Sequence, residues 1–203
     1  MRRGRHDETV KPTGEIFDSL WSELDQSVCA IAAVMEPDPS LWERGRPGKW
    51  TAGQHVAHVS VIMSKTAPAF ESALQSLRAG TLPPPPRRGL VQKLVIKLLA
   101  EKGTMPRGAK AARSTYPPDR PLMRETLEAL RRDAERHRVV GSPLSAAERD
   151  VLWIHNPVRP VWHYRLPEMV RVHAVHLRHH RKLIDEIARG QATVEGGKIP
   201  GGL

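Results

Sequence analysis

Cysteine is almost absent from this chain: Cys29 is the single one among 203 residues. One thiol cannot close an intramolecular disulfide, and cysteine-rich zinc sites need several. Its place on the apolar stripe of the first predicted helix indicates a buried, unreactive thiol. No apolar leader follows the basic residues near position 1. Together with the low cysteine content, this predicts a cytoplasmic protein.

Aromatic residues are also scarce, at 4% of the sequence. The strands of sandwiches and barrels favour aromatic and β-branched residues in alternation, and no stretch of the chain has that pattern. An apolar run of about 18 residues, which a transmembrane helix needs, is missing as well. The sequence therefore predicts neither strands nor a membrane span. Its 39% hydrophobic content still suffices for a helical core.

The charge is unbalanced, with 32 lysines and arginines against 22 acidic residues and a net charge of +10. Such a balance is typical of proteins that meet nucleic acid, a membrane surface or an acidic ligand. No helix-turn-helix, zinc-finger or RNA-binding motif accompanies it, and aromatic residues are not interleaved with the basic ones. The sequence therefore predicts a solvated basic surface. The alternative is an anionic partner, namely a nucleic acid, a membrane surface or an acidic substrate, of which nucleic acid is disfavoured.

Four segments have the three- and four-residue apolar spacing of amphipathic helices. They extend over residues 13–35, 51–80, 119–141 and 167–189. Thr51 and Gln54 form a capping box at the start of the second helix, and Pro68 predicts a kink within it. Asp119 is expected to cap the third helix. Four long helices without strands predict an all-α four-helix bundle.

A segment of different composition, residues 80–118, separates the second and third helices. It has four consecutive prolines at 83–86 and an amphipathic helical pattern over 89–102. Its basic side chains are Arg87, Arg88, Lys93, Lys97, Lys102, Arg107, Lys110 and Arg113. A loop of this length is often a lid or binding element; otherwise it is a solvated insertion whose helical patch packs on the domain.

The predicted domain organisation follows from these boundaries. One bundle domain occupies residues 13–190 and includes the basic, proline-rich insertion at about 80–118. Flexible tails are expected at 1–12 and 191–203.

Histidines interrupt the apolar stripe of the fourth helix. At 100° per residue, His173, His176 and His180 fall within the arc that extends from Leu183 to Leu177. Several buried imidazoles are costly unless something binds their nitrogens, and a divalent metal does so. His176 and His180 are one turn apart, the spacing at which two rings reach one ion. The pair lacks the catalytic glutamate of zinc-protease helices.

A third ligand is expected from the second helix, and His58 is the stronger candidate because it shares a face with Ile62. His55 is either a residue behind the ligands or an exposed side chain. His173 remains an alternative ligand or a hydrogen-bond partner. Three imidazoles leave coordination positions open, as in catalytic sites, and suit zinc, nickel, copper or iron. The alternative is a set of metal-free histidines.

Two stretches resemble the DinB/YfiT-like superfamily. KWTAGQHVAHVSVIM resembles that family's second-helix motif, in which a metal histidine follows a tryptophan at the distance that separates Trp50 from His58. HNPVRPVWHYRLPEMVRVHAVHLRHHRKLIDEI is similar to its last segment, a His-Pro-like loop followed by HxxxH, here His176 and His180. Asn156 is an insertion relative to the usual loop.

The resemblance, which covers residues 14–79 and 119–190, implies an up-up-down-down-like bundle and a homodimer. It also implies that His58, His176 and His180 hold a divalent metal: zinc, nickel or iron. Relatives include metal-dependent transferases that use a low-molecular-weight thiol such as bacillithiol or mycothiol, amide hydrolases, and isomerases. In all of these, a metal lowers the pKa of a bound thiol or water.

The expected function is therefore a metal-dependent thiol transferase or hydrolase that acts on a small-molecule substrate. The alternative is a non-catalytic dimeric binding or regulatory module with a basic surface for an anionic partner. The resemblance places His155 and His163 near the mouth of the site. Asp133 and His137, four residues apart on the third helix, predict a surface interaction.

Overall fold

The computed structural model describes residues 14–105 and 110–190, and it is mostly helical. Its elements are α1 (Gly14–Met35), α2 (Ala52–Arg78), α3 (Leu90–Ile96), α4 (Met123–Gly141), α5 (Ala146–Val151), β1 (Trp153–His155), β2 (His163–Arg165) and α6 (Leu166–Ala188). A π-helical turn, Lys97–Glu101, continues α3, and 3-10 turns occupy Pro39–Glu43 and Arg113–Thr115. The expected tails, 1–12 and 191–203, lie outside the described residues.

The four long helices pack against one another in ring order: α1 contacts α4 and α6, and α2 contacts the same two helices. Their apolar faces form one core, which includes Leu24, Ile31, Val56, Met63, Leu130 and Ile184. Burial of these faces stabilises the helices far more than intrinsic helix propensity does. Within the described parts of the chain, no helix is long and apolar enough to cross a membrane.

The start of α2 confirms the predicted capping box. The backbone N–H of Gln54 donates to the hydroxyl of Thr51 over 3.1 Å, and the backbone N–H of Thr51 donates to the Gln54 side chain over 3.0 Å. The helix continues through Pro68 to Arg78 as one element. The cap therefore fixes where α2 begins.

The predicted start of the third long helix is wrong by about one turn. That helix, α4, begins at Met123, and Asp119 does not cap it. The backbone carbonyl of Asp119 instead accepts a hydrogen bond from the side chain of Gln54, and that of Pro121 accepts one from the indole N–H of Trp42. Proline also disfavours a helical conformation at Arg120, the residue before it. The segment before Met123 therefore stays non-helical, held by Trp42 and Gln54.

The prediction that the chain has no strands is also wrong. β1 and β2 pair antiparallel, with Ile154 opposite Tyr164. In the loop between them, the side-chain oxygen of Asn156 accepts hydrogen bonds from the backbone N–H groups of Val158 and Arg159. The asparagine thus forms a local turn that lets two three-residue strands pair.

Cys29 is exposed, which corrects the prediction of a buried thiol. Its neighbour Val28 lies in the core, as do Leu24 and Ile31. The buried stripe of α1 therefore passes one position before the cysteine, which falls about 100° further round the helix.

Asp133 and His137 are both buried, so their predicted surface interaction is wrong. The Nδ1 of His137 lies 2.6 Å from the backbone carbonyl oxygen of Asp133 and must donate, since a carbonyl only accepts. The His137 ring meets His173 of α6 edge-on, with centroids 5.5 Å apart. Burial lowers the pKa of His137, and it lowers that of His173 to about 3. The two rings form a neutral polar pair inside the core.

Unfolding free energy should depend on pH through such buried histidines. The folded-state pKa of His173 is about 3, whereas an exposed histidine titrates near 6.5, so the unfolded chain binds more protons between these pH values. Stability therefore falls as the pH drops below about 6.5, by up to about 1.4 kcal/mol per pH unit for each such group.

Urea unfolding of the metal-free protein at several pH values would measure this slope. We expect His173→Leu to reduce the change of unfolding free energy per pH unit by up to about 1.4 kcal/mol, because it removes one buried histidine. His155→Gln changes an exposed side chain and should leave this pH dependence as it is in the native protein. An unchanged slope in His173→Leu would contradict the assignment.

Candidate metal centre

The three predicted ligands meet where α2 packs against α6. His58, His176 and His180 each offer a ring nitrogen, and these atoms all lie within 4.8 Å of one another. His58 and His180 are buried, while His176 is partly exposed. Among the described residues, these three histidines form a cluster whose ring nitrogens are close enough together to hold one metal ion.

The tautomer of His58 is determined by its surroundings. Its Nδ1 lies 2.7 Å from the backbone carbonyl oxygen of Thr115, in the second 3-10 turn. A carbonyl oxygen only accepts, so Nδ1 carries the proton and Nε2 keeps a free lone pair. Metal-binding histidines are held in this way by a partner on the nitrogen away from the ion. The arrangement presents the Nε2 of His58 as a ligand.

His176 and His180 face each other through their Nε2 atoms, which are 3.0 Å apart. Two nitrogens that each lie about 2.1 Å from one ion are separated by no more than about 4 Å, so this pair fits a shared ion. The one-turn spacing on α6 brings about the approach, as the sequence predicted. The three histidines could hold a metal ion.

His55 lies directly behind His180. It is only 2% exposed, and its Nδ1 is 3.0 Å from the Nδ1 of His180. If His180 binds through Nε2, its Nδ1 carries the proton and donates to His55. The sequence left two roles open for His55, and the structure favours that of a buried residue that contacts a ligand over that of an exposed side chain.

Trp50 covers one side of the cluster. Its ring centroid lies 4.9 Å from that of His58 and 6.5 Å from that of His180, on which the indole stacks. Tyr116 meets the other edge of the indole at 6.1 Å. These aromatic surfaces help to keep water away from His58 and His180.

The electrostatics of the site favour neutral imidazoles. Burial lowers the pKa of His176 and His180 well below the ordinary value, and neighbouring histidines lower it further. Burial also lowers the pKa of His58, although its hydrogen bond to Thr115 opposes the shift. Neutral imidazole is the form that binds a metal, so the rings need not lose protons near neutral pH.

His173, His155 and His163 make their ring and hydrogen-bond contacts with residues other than the three ligands. His173 contacts His137. His155 is exposed, with its Nδ1 3.1 Å from the Pro160 carbonyl. His163 lies on β2, where its ring is 3.3 Å from the Arg88 side chain. No contact among the described residues joins His155 or His163 to the three ligands, and their placement at the site mouth stays a prediction.

Sequence reasoning missed the contribution of Thr115. It belongs to the segment that the sequence marks as an insertion, and its part in the site is played by a backbone carbonyl, which any residue supplies. Thr115 is 1% exposed, and both its backbone N–H and its hydroxyl donate to the Ala112 carbonyl. No motif could have identified it.

Comparisons with models of known protein families, with curated proteins and with solved structures found no match. The DinB/YfiT-like resemblance therefore rests on the sequence motifs themselves.

We expect the His55→Phe variant to bind zinc about 10- to 100-fold more weakly, since residues that orient metal-binding histidines typically contribute that much. His55→Asn places a hydrogen-bonding atom near the original Nδ1 and should restore part of the affinity. Competition with a chromophoric chelator reads both affinity and stoichiometry. Unchanged affinity in His55→Phe would exclude this role, and complete loss of stoichiometric binding would make His55 a ligand.

Proposed function

We propose that the chain is a metal-dependent enzyme with a DinB/YfiT-like four-helix bundle, in which His58, His176 and His180 hold one divalent ion. The observation that carries this proposal is the convergence of three imidazole nitrogens within 4.8 Å, from two different helices. The motif resemblance supports the same three residues independently of their geometry.

The surroundings of the three histidines support a reactive site. The carbonyl of Thr115 and the ring of His55 orient two of the imidazoles, and Trp50 shields them from solvent. Three nitrogen ligands leave at least one coordination position open, as in catalytic zinc sites. A bound ion would supply Lewis acidity, which lowers the pKa of a thiol or water at that position.

The proposed reaction is conjugation of a low-molecular-weight thiol, which loses its proton and forms a bond from sulfur to an electrophilic small-molecule substrate, or hydrolysis by an activated water. An all-imidazole ligand set suits zinc, nickel or iron and is less suited to magnesium or calcium, which favour oxygen ligands. The resemblance further implies a homodimer, which equilibrium sedimentation tests.

Elemental analysis of untagged protein tests the metal site. We expect about one transition-metal ion per chain, absent from a His176→Ala/His180→Ala variant and retained in the matched control His155→Ala. Zinc added to metal-free protein should raise the melting temperature, because a ligand at 100 times its Kd stabilises by about 2.7 kcal/mol. Metal-free protein without any thermal response to zinc or nickel would overturn the proposed site.

Cobalt substitution tests the reaction class. Cobalt(II) occupies nitrogen-ligand sites and has absorption bands that report its coordination. A thiol that enters the open position should alter these bands in the native protein and have no such effect in His58→Ala. If the metal site forms but no thiol changes the spectrum, the transferase reaction is rejected. Hydrolysis of small amides then becomes the version to assay, followed by the non-catalytic binding module.

A further inference from the structure

The outward face of α3 is aliphatic. Leu90, Val91 and Leu94 are 84%, 66% and 58% exposed. At 100° per residue these three positions span about 100° of the helix surface. Exposed apolar groups that are contiguous in this way mark an interaction surface more often than isolated ones do.

This face does not result from a loosely attached helix. Gln92 and Ile96 on the opposite side are buried, and the Gln92 amide donates to the backbone carbonyl of His163 over 2.6 Å. Arg88, just before the helix, forms two hydrogen bonds of 2.8 and 2.6 Å with the carboxylate of Glu168 at the start of α6. These hydrogen bonds and the burial of Ile96 fix the orientation of α3, so that its aliphatic face points to solvent.

Basic side chains border the aliphatic face. Lys93 and Lys97 are exposed and lie on the adjoining flank of the helix, and exposed Arg87 precedes it. Residues 87–102 contain five basic side chains, Arg87, Arg88, Lys93, Lys97 and Lys102, against one acidic side chain, Glu101. The occupant of this surface must accept both aliphatic groups and positive charge.

We propose that α3 docks the protein on an anionic lipid surface, with Leu90, Val91 and Leu94 inserted among the acyl chains and the lysines at the headgroups. Amphipathic helices with basic flanks bind membrane interfaces in this way. This surface shares no residue with the candidate metal centre. Docking through it places the proposed enzyme at a membrane.

Charge and area distinguish this occupant from others. A second copy of the chain would bring two basic faces together, and nucleic acid would leave the aliphatic groups in water. A seven-residue helix also offers far less area than the roughly 800 Å² per partner of a stable protein interface. A bilayer requires no matching groove and satisfies both the apolar and the basic groups.

Flotation of the full chain with vesicles tests the proposal, in the presence of a metal chelator. We expect binding to phosphatidylglycerol-containing vesicles, weak binding to pure phosphatidylcholine vesicles, and release as salt is added. Leu90→Ser/Leu94→Ser and Lys93→Gln/Lys97→Gln should each reduce partitioning at least about tenfold. The emission of an added indole in Leu94→Trp should shift to shorter wavelength when vesicles are bound.

Two matched variants control for loss of apolar groups or charge elsewhere. Val139→Ser/Val151→Ser removes exposed aliphatic side chains from α4 and α5, and Lys65→Gln/Arg132→Gln removes exposed charges from α2 and α4. Both should partition like the native protein. The proposal is overturned if anionic vesicles are not bound at low salt, or if both α3 variants still bind. If vesicles are not bound and the leucine variant abolishes self-association, the face is an interface between two copies of the chain. If vesicles are not bound and the variant abolishes capture of an acidic protein, the occupant is such a protein.

Discussion

The burial of neutral imidazole rings at the contact between α2 and α6 constrains the rest of this structure. Each buried ring has two nitrogens that have lost water and need partners. His58 finds one in the Thr115 carbonyl and His180 in His55, while the Nε2 atoms of His176 and His180 face each other. The partners of His58 and His180 thus leave the Nε2 atom of each ring available to an ion.

The segment between α2 and α4 contributes to the structure on two sides. Three contacts hold its inner side against the domain. The indole N–H of Trp153 donates to the Pro83 carbonyl, Arg88 pairs with Glu168, and the Thr115 carbonyl accepts from His58. Its outer side presents the aliphatic and basic face of α3. Proline-rich, basic composition usually indicates a solvated loop, but here the loop orients a candidate ligand.

Much of the helical architecture could be predicted because its signals are local. The apolar period of α1, the capping box of α2 and the proline at the start of α6 each act within one or two turns, and all three helices are found within about a turn of their predicted limits. The start of α4 depends instead on hydrogen bonds from Trp42 and Gln54, which are distant in sequence. The β1–β2 hairpin was missed because three-residue strands are too short to show alternation.

The candidate site, like the fold, was predictable only where local signals in the sequence decide the structure. Helix geometry alone determined that His173, His176 and His180 lie on the inward face of α6, because residues three and four apart share one side of a helix. It could not determine which ring each of them meets. Only the tertiary structure decided that His173 contacts His137 of α4, whereas His176 and His180 contact His58 of α2. The reason is that His173 reaches across the core to α4, which lies diagonally opposite α6, whereas His176 and His180, further along the helix, meet the adjacent helix α2. The sequence of one helix does not show which other helix lies opposite each of its turns.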